Sequence, residues 1–522
     1  MNNNNILAFS AIFIALFSLI SPHALAQNKK QPVKHNTTAQ SPDAEDDKAP
    51  TQKADLFWND PIVGKGIVNF TVEVKNYARK PVVLGYYFNN KMLVKDTVLT
   101  DDRCVAHFQR DTLYEQGLYI LHFPENGAVF DLLMPEEQKF ALKCDTMARQ
   151  ADRASVKNSQ PIANFLEYQR YISAKQLEFS DIMKEFQAPN TTPERKEEIR
   201  KRYIEVDSLV KAHNEEVIAA NKDNFLSNFL RALKEVKIPT FDIPEGLTKH
   251  ERDSIQQMRG YYYYRAHFYD NFDMNDDRLL RTPFFLAKIN RYFEETVPQV
   301  PDTVAAEAIR LIEMCRGNKE MFRFFVSTMY NLVNQSKIMG MDAALVKLAD
   351  KYYLAGQTPW NDQKFLDELR ENVDGIRYTL VGLQAPDLKM PSVTGEWYRL
   401  SDVKAKFTVL VFWEPSCGHC KKEVPHIKTA LYDKYAAKGL KVFAVYCQVD
   451  EQPWKEFIEE HQLEEFINVY DPYGRSGFRK FYHIKSTPTI FLLDENKKII
   501  AKKLGVDQLN EFIAHELAEQ NK

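Results

Sequence analysis

The chain has 522 residues, which is too long for a single hydrophobic core and predicts about three domains. It carries 69 lysines and arginines against 72 aspartates and glutamates. The resulting formal net charge of −3 gives no electrostatic basis for binding nucleic acid or an anionic membrane surface. Six cysteines are too few for a disulfide-stapled scaffold of this length. We therefore expect a multi-domain globular protein with no nucleic-acid partner.

An apolar segment covers residues 6–20 and is followed by an Ala-Leu-Ala sequence that ends at Ala26. This order is typical of a secretory signal peptide that covers residues 1–26 and is cleaved after Ala26. We therefore expect the protein to be periplasmic or otherwise exported. The residues before the apolar segment lack Lys and Arg, so an uncleaved membrane anchor is the alternative. Residues 27–56 are polar and contain proline, which predicts a disordered linker.

Residues 57–150 contain short runs rich in β-branched and aromatic residues, separated by turn-forming residues. Runs such as residues 67–74 and 82–88 predict an antiparallel β-sandwich domain. Cys104 and Cys144 both lie in this domain, and in an exported protein they are candidates for a structural disulfide. Their spacing alone does not decide whether they meet.

Residues 155–375 are predicted to form an α-helical domain. An apolar stripe recurs there at alternating spacings of four and three residues: Ile199, Tyr203, Val206, Val210, His213 and Val217. We interpret the stripe as a packing face rather than a cofactor site, with His213 as a core or edge histidine. This domain could also carry the interface of a homodimer.

Residues 380–522 alternate strand-like runs with amphipathic segments, which predicts an α/β domain closed by a β-hairpin and a helix. The predicted strands are Phe407–Trp413, Leu440–Cys447, Ile467–Tyr470, Thr489–Leu493 and Ile499–Leu504. Cys447 in this domain and Cys315 in the helical one are expected to be buried free thiols.

Directly after the first of these strands, Cys417 and Cys420 stand two residues apart, which predicts a dithiol redox site. The residues after Cys420 suit a helix, so Cys417 should lie at a helix N-terminus, where the dipole favours a thiolate. Cys420 is then the shielded resolving thiol. A zinc site is disfavoured, because His419 cannot readily reach the same metal and no second ligand pair stands nearby. We expect no metal and no cofactor beyond a redox-active Cys417–Cys420 disulfide.

Residues 380–522 resemble the exported or membrane-tethered thiol:disulfide oxidoreductases of the TlpA/ResA kind, which are related to the alkyl hydroperoxide reductase family. The motifs that carry the resemblance are Ala385-Pro386-Asp387-Leu388, Leu400-Ser401-Asp402, the Cys-Gly-His-Cys string with Pro425, and Thr487-Pro488. The resemblance implies a thioredoxin fold and exchange with protein dithiols and disulfides. It also implies an upstream thiol partner that donates or accepts electrons. The two upstream domains resemble modules of unknown function.

The resemblance also suggests roles for residues around the dithiol. Glu423 stands where similar proteins carry a functional acidic residue, which makes it a candidate proton acceptor for Cys420. A solvated helical glutamate paired with a lysine is the other interpretation. Gly418 and His419 lie between the cysteines and set the redox poise, since a histidine there can stabilise the Cys417 thiolate, as in protein disulfide isomerase.

The Thr487–Pro488 pair and Trp413 complete the set of residues expected in the active site. Pro488 is predicted to be a cis-proline that faces the cysteines, with the Thr487 backbone free to pair with an extended substrate segment. Trp413 either shields the dithiol or is an ordinary core tryptophan.

Three functions compete. The first is an exported disulfide reductase or isomerase. The second is a thiol peroxidase-like antioxidant protein, but the proline and hydroxyl residue of a peroxidatic loop are replaced by Leu410 and Glu414. In the third, the first two domains bind a protein partner or a surface glycan, and the redox domain is an accessory.

Overall fold

A computed structural model describes residues 65–88, 91–147, 150–222 and 224–519. The predicted signal peptide and linker lie outside the described residues. The chain divides into two compact units, Met1–Thr296 and Val297–Lys522, so the boundary falls inside the predicted helical domain of residues 155–375. Among the helices of the described ranges, none combines the length and the apolar composition needed to cross a membrane.

The first unit begins with two four-stranded sheets that face each other as a β-sandwich. Its strands are β1 Lys65–Val74, β2 Pro81–Phe88, β3 Lys91–Leu99, β4 Val105–Thr112, β5 Gly117–Phe123, β6 Ala128–Met134, β7 Ala141–Cys144 and β8 Ser155–Lys157. The sheet orders are β4-β1-β7-β8 and β3-β2-β5-β6. Alternate residues such as Phe70, Leu84 and Phe130 fill the core between them. The pairing is antiparallel except between β1 and β7, which run parallel.

Cys104 and Cys144 are both free thiols, so the candidate structural disulfide is not formed. They flank the end of β1 from opposite sides: the Cys104 carbonyl accepts from the N–H of Val74, and the Cys144 carbonyl accepts from the N–H of Lys75. Two strand spacings put their backbones about 10 Å apart. A disulfide needs Cα atoms within about 7 Å, so the intervening strand prevents the bond.

Helices follow the sandwich in the same unit. Their bounds are α1 Gln150–Arg153, α2 Gln160–Gln187, α3 Pro193–Ala220, α4 Phe225–Leu233, α5 Lys249–His267 and α6 Phe285–Glu295, with a 3-10 turn at Asp277–Arg281. The predicted stripe of α3 faces α2, where Ile199 and Val206 pack with Ile182. His213 stacks on Tyr171, with ring centroids 3.8 Å apart. The stripe is therefore a packing face.

The second unit opens with four more α-helices. They are α7 Pro301–Met314, α8 Lys319–Asn334, α9 Asp342–Leu348 and α10 Gln363–Arg377, with a π-helical turn at Ala349–Tyr353 after α9. Cys315, directly after α7, is buried and free, as expected.

Close contacts hold these helices to the C-terminal domain. The buried ammonium group of Lys502 contacts the carboxylate of Asp342 and donates to the Thr379 carbonyl at 2.6 Å. Gly375 of α10 lies so close to His483 that an added Cβ would be 2.3 Å from the imidazole Nδ1. Because these contacts join residues more than 100 positions apart, helical periodicity could not place the unit boundary.

The C-terminal domain has the thioredoxin plan. Its strands are β9 Lys389–Pro391, β10 Trp397–Arg399, β11 Phe407–Trp413, β12 Leu440–Tyr446, β13 Ile467–Tyr470, β14 Thr489–Leu493 and β15 Ile499–Lys502. Its helices are α11 Cys420–His426, α12 Asp433–Tyr435, α13 Glu451–Glu460, α14 Phe478–Phe481 and α15 Val506–Glu519. Shorter turns are 3-10 at Leu400–Asp402 and Ala436–Lys438 and π-helical at Ile427–Tyr432.

The main sheet has the order β13-β12-β11-β14-β15. Strands β11, β12 and β13 pair in parallel, and β14 pairs antiparallel with its two neighbours, β11 and β15. All residues of the central strand β11 are buried, because helices cover both faces of the sheet. Val411 and Trp413 face one core, and Leu410 and Phe412 face the other. The strand ends at the loop that carries the dithiol.

Candidate active site

The two cysteines occupy different environments at the end of β11. Cys417 is half-buried, whereas Cys420 is buried as the first residue of α11. The Cys417 Sγ donates to the carbonyl of Thr487 at 3.1 Å and accepts from the N–H of Cys420 at 3.4 Å. The Cys417 carbonyl accepts from the N–H of Lys421 at 3.1 Å, so Cys417 lies in the loop that caps the helix.

These environments move the two thiol pKa values in opposite directions. Burial is the largest influence on Cys417 and raises its pKa. Interactions with the backbone and side chain of Cys420, the side chain of Thr487 and the backbone N–H of His419 outweigh burial, so the net pKa of Cys417 is lowered. Burial also dominates at Cys420 and raises its pKa to about 12. The thiolate of Cys417 therefore forms at a lower pH than that of Cys420.

This asymmetry predicts a pH-dependent difference in alkylation of the reduced protein. A lowered pKa means that the Cys417 thiolate forms at a lower pH than an ordinary thiolate, so iodoacetamide should modify it first as the pH rises. We expect Cys417 to react at least about 30-fold faster at neutral pH, since the larger thiolate fraction is partly offset by the lower nucleophilicity of a weaker base. Peptide mass spectrometry measures both rates. Equal pH profiles in the folded protein would contradict the assignment, and urea-unfolded protein serves as the control.

The other predicted site residues lie near the dithiol but differ in exposure. Gly418 and His419 are exposed between the cysteines. The Thr487–Pro488 peptide bond is cis, and both residues are half-buried. Trp413 is buried and packs on Phe457, with ring centroids 4.8 Å apart. It is thus a core tryptophan below the site.

Glu423 is half-buried on α11. Its Oε2 accepts from the N–H of Val506, the first residue of α15, at 3.4 Å. Within the described residues, no hydrogen bond links this carboxylate to Cys420, and no lysine forms an ion pair with it. Its described polar partner is a helix N-terminus, where an anion is favourable.

Three polar residues at the site were not predicted. Glu414, directly after β11, accepts from the hydroxyl of Thr487 at 3.0 Å and from the side-chain amide of Gln448 at 2.6 Å. The same Gln448 amide also donates to the hydroxyl of Ser416 at 3.3 Å. An acidic residue at the end of a fully buried strand was the available signal. Its partners could not be read from the local sequence.

A cavity of about 410 Å³ opens next to Gln448. Its walls are Tyr446, Cys447, Gln448, Val449, Asp471, Pro472, Gly474, Gly477, Phe478, Arg479 and Lys480. Cys447 is buried and free, and burial raises its pKa to about 12, so this third thiol is unreactive at neutral pH. The cavity offers a recess beside the loop that carries the dithiol.

A central parallel strand that leads into a Cys-x-x-Cys loop, opposite a cis-proline, defines the class of thioredoxin-fold dithiol proteins. The model of the AhpC/TSA family matches residues 381–502. The thiol-disulfide oxidoreductase ResA of Bacillus thuringiensis subsp. konkukian is 31% identical over 136 residues, which are 26% of this chain and 76% of ResA.

Two further proteins match the same part of the chain. The thioredoxin-like protein YneN of Bacillus subtilis is 31% identical over 171 residues, which are 30% of this chain and 92% of YneN. A solved domain of a possible thiol-disulfide isomerase from Cytophaga hutchinsonii is 37% identical, with a TM-score of 0.26, and the match covers 27% of this chain and 97% of that domain. The chain belongs to the ResA-like thiol-disulfide oxidoreductases of the AhpC/TSA family, and it is an oxidoreductase.

Proposed function

We propose that the protein is an exported thiol:disulfide oxidoreductase, a reductase or isomerase, whose Cys417–Cys420 dithiol exchanges with disulfides of other proteins. The observation that carries the proposal is the asymmetry of the two sulfur atoms. One is half-buried with a lowered pKa, and the other is buried with a raised pKa. A nucleophile open to solvent and a shielded resolving thiol are what disulfide exchange requires.

Exchange proceeds in two displacements. The Cys417 thiolate attacks one sulfur of a substrate disulfide, a mixed disulfide forms, and the other substrate sulfur leaves as a thiolate. The Cys420 thiolate then attacks the Cys417 sulfur, which forms the Cys417–Cys420 disulfide and releases the second substrate thiolate. The substrate gains two electrons and the dithiol loses two. The reverse sequence oxidises a substrate dithiol.

The residues between the cysteines favour a more oxidising reduction potential for the dithiol. His419 is exposed, and its imidazolium form would stabilise the Cys417 thiolate and hence the reduced protein. Stabilising the reduced form makes the couple a stronger oxidant. Gly418 has open space around its Cα, so a substrate chain can approach there.

Substrate would bind opposite the Thr487–Pro488 bond. Main-chain groups of this half-buried turn can pair with an extended segment beside the scissile disulfide. The Thr487 carbonyl already accepts from the Cys417 thiol at 3.1 Å, so a segment bound there would lie against the nucleophile. The cavity beside Gln448 would accommodate a neighbouring side chain.

The cellular setting follows from the N-terminal sequence. A signal peptide cleaved after Ala26 would send the protein to the periplasm or another exported compartment, where disulfides persist. A dithiol that turns over there needs a second thiol protein as electron donor or acceptor. We propose no metal, no bound cofactor and no nucleic-acid partner.

Turnover of protein disulfides tests the proposal. The full chain without residues 1–26 should reduce insulin in the presence of dithiothreitol and reactivate a ribonuclease with scrambled disulfides. The Cys417→Ser/Cys420→Ser double variant, which keeps the other four cysteines, should have neither activity. Peroxide consumption measured in parallel distinguishes the peroxidase alternative. Turnover of peroxide without turnover of insulin would contradict the proposal.

A further inference from the structure

Helix α10 contacts the chain segment that leads into the cis-proline turn of the active site. Residues 481–485, which we call the approach segment, run from the end of α14 toward that turn. At one end of the segment, the ring of Phe481 meets the ring of Tyr378 edge-on, with centroids 5.6 Å apart. At the other end, Nζ of Lys485 donates to Oδ1 of Asn372 at 3.0 Å. Both partners belong to α10 or to the residue directly after it.

Between these two contacts, the imidazole of His483 lies directly on the helix at Gly375. Gly375 is buried inside α10, where a glycine is unfavourable for the helix itself. An added Cβ at this position would lie 2.3 Å from Nδ1 and 2.9 Å from Cγ of the imidazole, so the ring or the helix would have to move. Burial lowers the pKa of His483 to about 4, so the ring is uncharged at neutral pH. The glycine thus makes room for the neutral ring.

The approach segment has little freedom to move independently of the turn. Lys485 is two residues before Thr487, so their Cα atoms are at most about 7 Å apart. Ile484 is buried in the core on one side of the main sheet. Within the turn, the hydroxyl of Thr489 donates to the carbonyl of Ser486 at 2.7 Å. A displacement of the approach segment away from α10 would therefore move the turn as well.

Helix α10 is itself held in place by charged side chains. The guanidinium of Arg377 donates to both carboxylate oxygens of Asp350 at 2.8 and 2.7 Å, which joins α10 to the π-helical turn after α9. Lys502 of β15 donates to the carbonyl of Thr379, two residues after α10, at 2.6 Å. The helix is thus fixed to its neighbouring helices and to the main sheet, and it presents a firm surface to the approach segment.

We infer that the face of α10 formed by Asn372, Gly375 and Tyr378 positions the cis-proline turn for binding an extended segment of a protein substrate. The inference rests on the proposed function of the dithiol. The three residues are positioning residues, because they act through the approach segment. Helix α10 precedes residue 381, where the family match begins. The helices of the second unit therefore take part in substrate binding by the redox domain.

The effect should depend on the size of the substrate. A protein substrate pairs its main chain with the turn, so its binding depends on where the turn lies. A small disulfide has no main chain to pair. The Cys417 thiol donates to the Thr487 carbonyl at 3.1 Å, but the attacking thiolate has no proton to donate, so attack itself does not require this contact. Moving the turn should impair reaction with a protein disulfide and leave reaction with a small one nearly unchanged.

The test compares a protein disulfide with a small one in the chain without residues 1–26. Steady-state reduction of insulin in excess dithiothreitol gives KM and kcat. Stopped-flow mixing of the reduced protein with 5,5′-dithiobis-(2-nitrobenzoate) gives the rate of attack by Cys417 as the first release of thionitrobenzoate. The Cys417→Ser/Cys420→Ser variant supplies the background of both assays. Glu371→Ala, an exposed change on α10 beside Asn372, is the matched control.

Gly375→Ala is expected to raise the KM for insulin about 10-fold, because it displaces the turn. Its kcat and its first release of thionitrobenzoate should stay within about twofold of wild type, since the loss is one of substrate binding. Alanine is a better helix former than glycine, so a weaker helix cannot explain the loss. Glu371→Ala should match wild type in both assays.

A second substitution should rescue the first. His483→Ala removes Nδ1 and Cγ, the two atoms that the new Cβ would meet most closely. Gly375→Ala/His483→Ala should therefore have the KM of His483→Ala alone, and this KM should lie between those of wild type and Gly375→Ala. Two unrelated losses would multiply instead.

The inference is wrong if Gly375→Ala leaves the KM for insulin unchanged, if it slows the small disulfide as much as insulin, or if the double variant shows the product of the two single effects. Should Gly375→Ala not fold, Asn372→Ala/Tyr378→Ala removes the two outer contacts without a clash and should also raise the KM. An unchanged KM there would equally overturn the inference. Wild type that fails to reduce insulin would instead contradict the proposed function, so the two failures are distinguishable.

Discussion

Cys420→Ser is expected to convert the protein into a covalent trap for its disulfide partners. Cys417 keeps the backbone N–H groups of residue 420 and His419 as donors that favour its thiolate, so it still attacks. Without the buried resolving sulfur, the mixed disulfide cannot be broken from within the protein. Non-reducing electrophoresis and mass spectrometry should find partners joined through Cys417, and a reducing agent should release them.

Cys417→Ser should lose disulfide exchange by a factor on the order of 10³ or more, because the remaining thiol is buried and protonated. The Cys417→Ser/Cys420→Ser variant keeps Cys104, Cys144, Cys315 and Cys447 and should trap nothing. Equal trapping by this double variant would show that another cysteine is the nucleophile, and the account of the site would be wrong.

The second large effect is expected at Lys502, whose side chain is 3% exposed. Its ammonium group contacts Asp342 and donates to the Thr379 carbonyl at 2.6 Å, and burial lowers its pKa. Lys502→Met leaves the Asp342 carboxylate, whose side chain is 13% exposed, without its cation. Removing one partner of a buried ion pair costs about 3 kcal/mol or more, so the second unit should lose about that much of its free energy of unfolding.

Urea unfolding followed by tryptophan fluorescence measures the effect, since Trp360, Trp397, Trp413 and Trp454 all lie in the second unit. Lys503 is exposed and directly follows Lys502, so Lys503→Met is the matched control. This variant should change the free energy of unfolding by less than about 0.5 kcal/mol. Lys502→Met combined with Asp342→Leu should recover much of the loss, because an apolar pair leaves no unpaired charge. A single variant as stable as Lys503→Met would show that the ion pair does not join the helices to the sheet.

Local patterns were sufficient for three of the five strands predicted in the C-terminal domain, whereas the predicted strands Leu440–Cys447 and Ile499–Leu504 end earlier, at Tyr446 and Lys502. Runs rich in β-branched residues between turn-forming residues predict Phe407–Trp413, Ile467–Tyr470 and Thr489–Leu493, and the structure has these bounds. The unit boundary near Val297 depends instead on contacts such as Gly375 against His483, which join distant parts of the chain. Helical periodicity contains no information on such contacts.

In the active site, too, some residues can be recognised from the local sequence and others only from contacts between distant parts of the chain. Cys417 and Cys420 are recognisable because their chemistry requires a fixed local spacing. The contact of Glu414 with Thr487 spans 73 positions, and the contact of Glu423 with Val506 spans 83. A residue type in the sequence does not tell where its side chain is directed when its partner lies on another element. The network around Glu414 therefore required the structure.

The reduction potential of the dithiol shows whether Cys417 and Cys420 form one reversible redox couple. The chain without residues 1–26 is equilibrated in glutathione buffers of increasing oxidation, and its free thiols are alkylated and assigned by mass spectrometry. We expect one reversible two-electron transition that joins Cys417 to Cys420, with a potential between about −270 and −180 mV. Persistence of both thiols across the buffer range, or a disulfide between any other pair, would contradict the account.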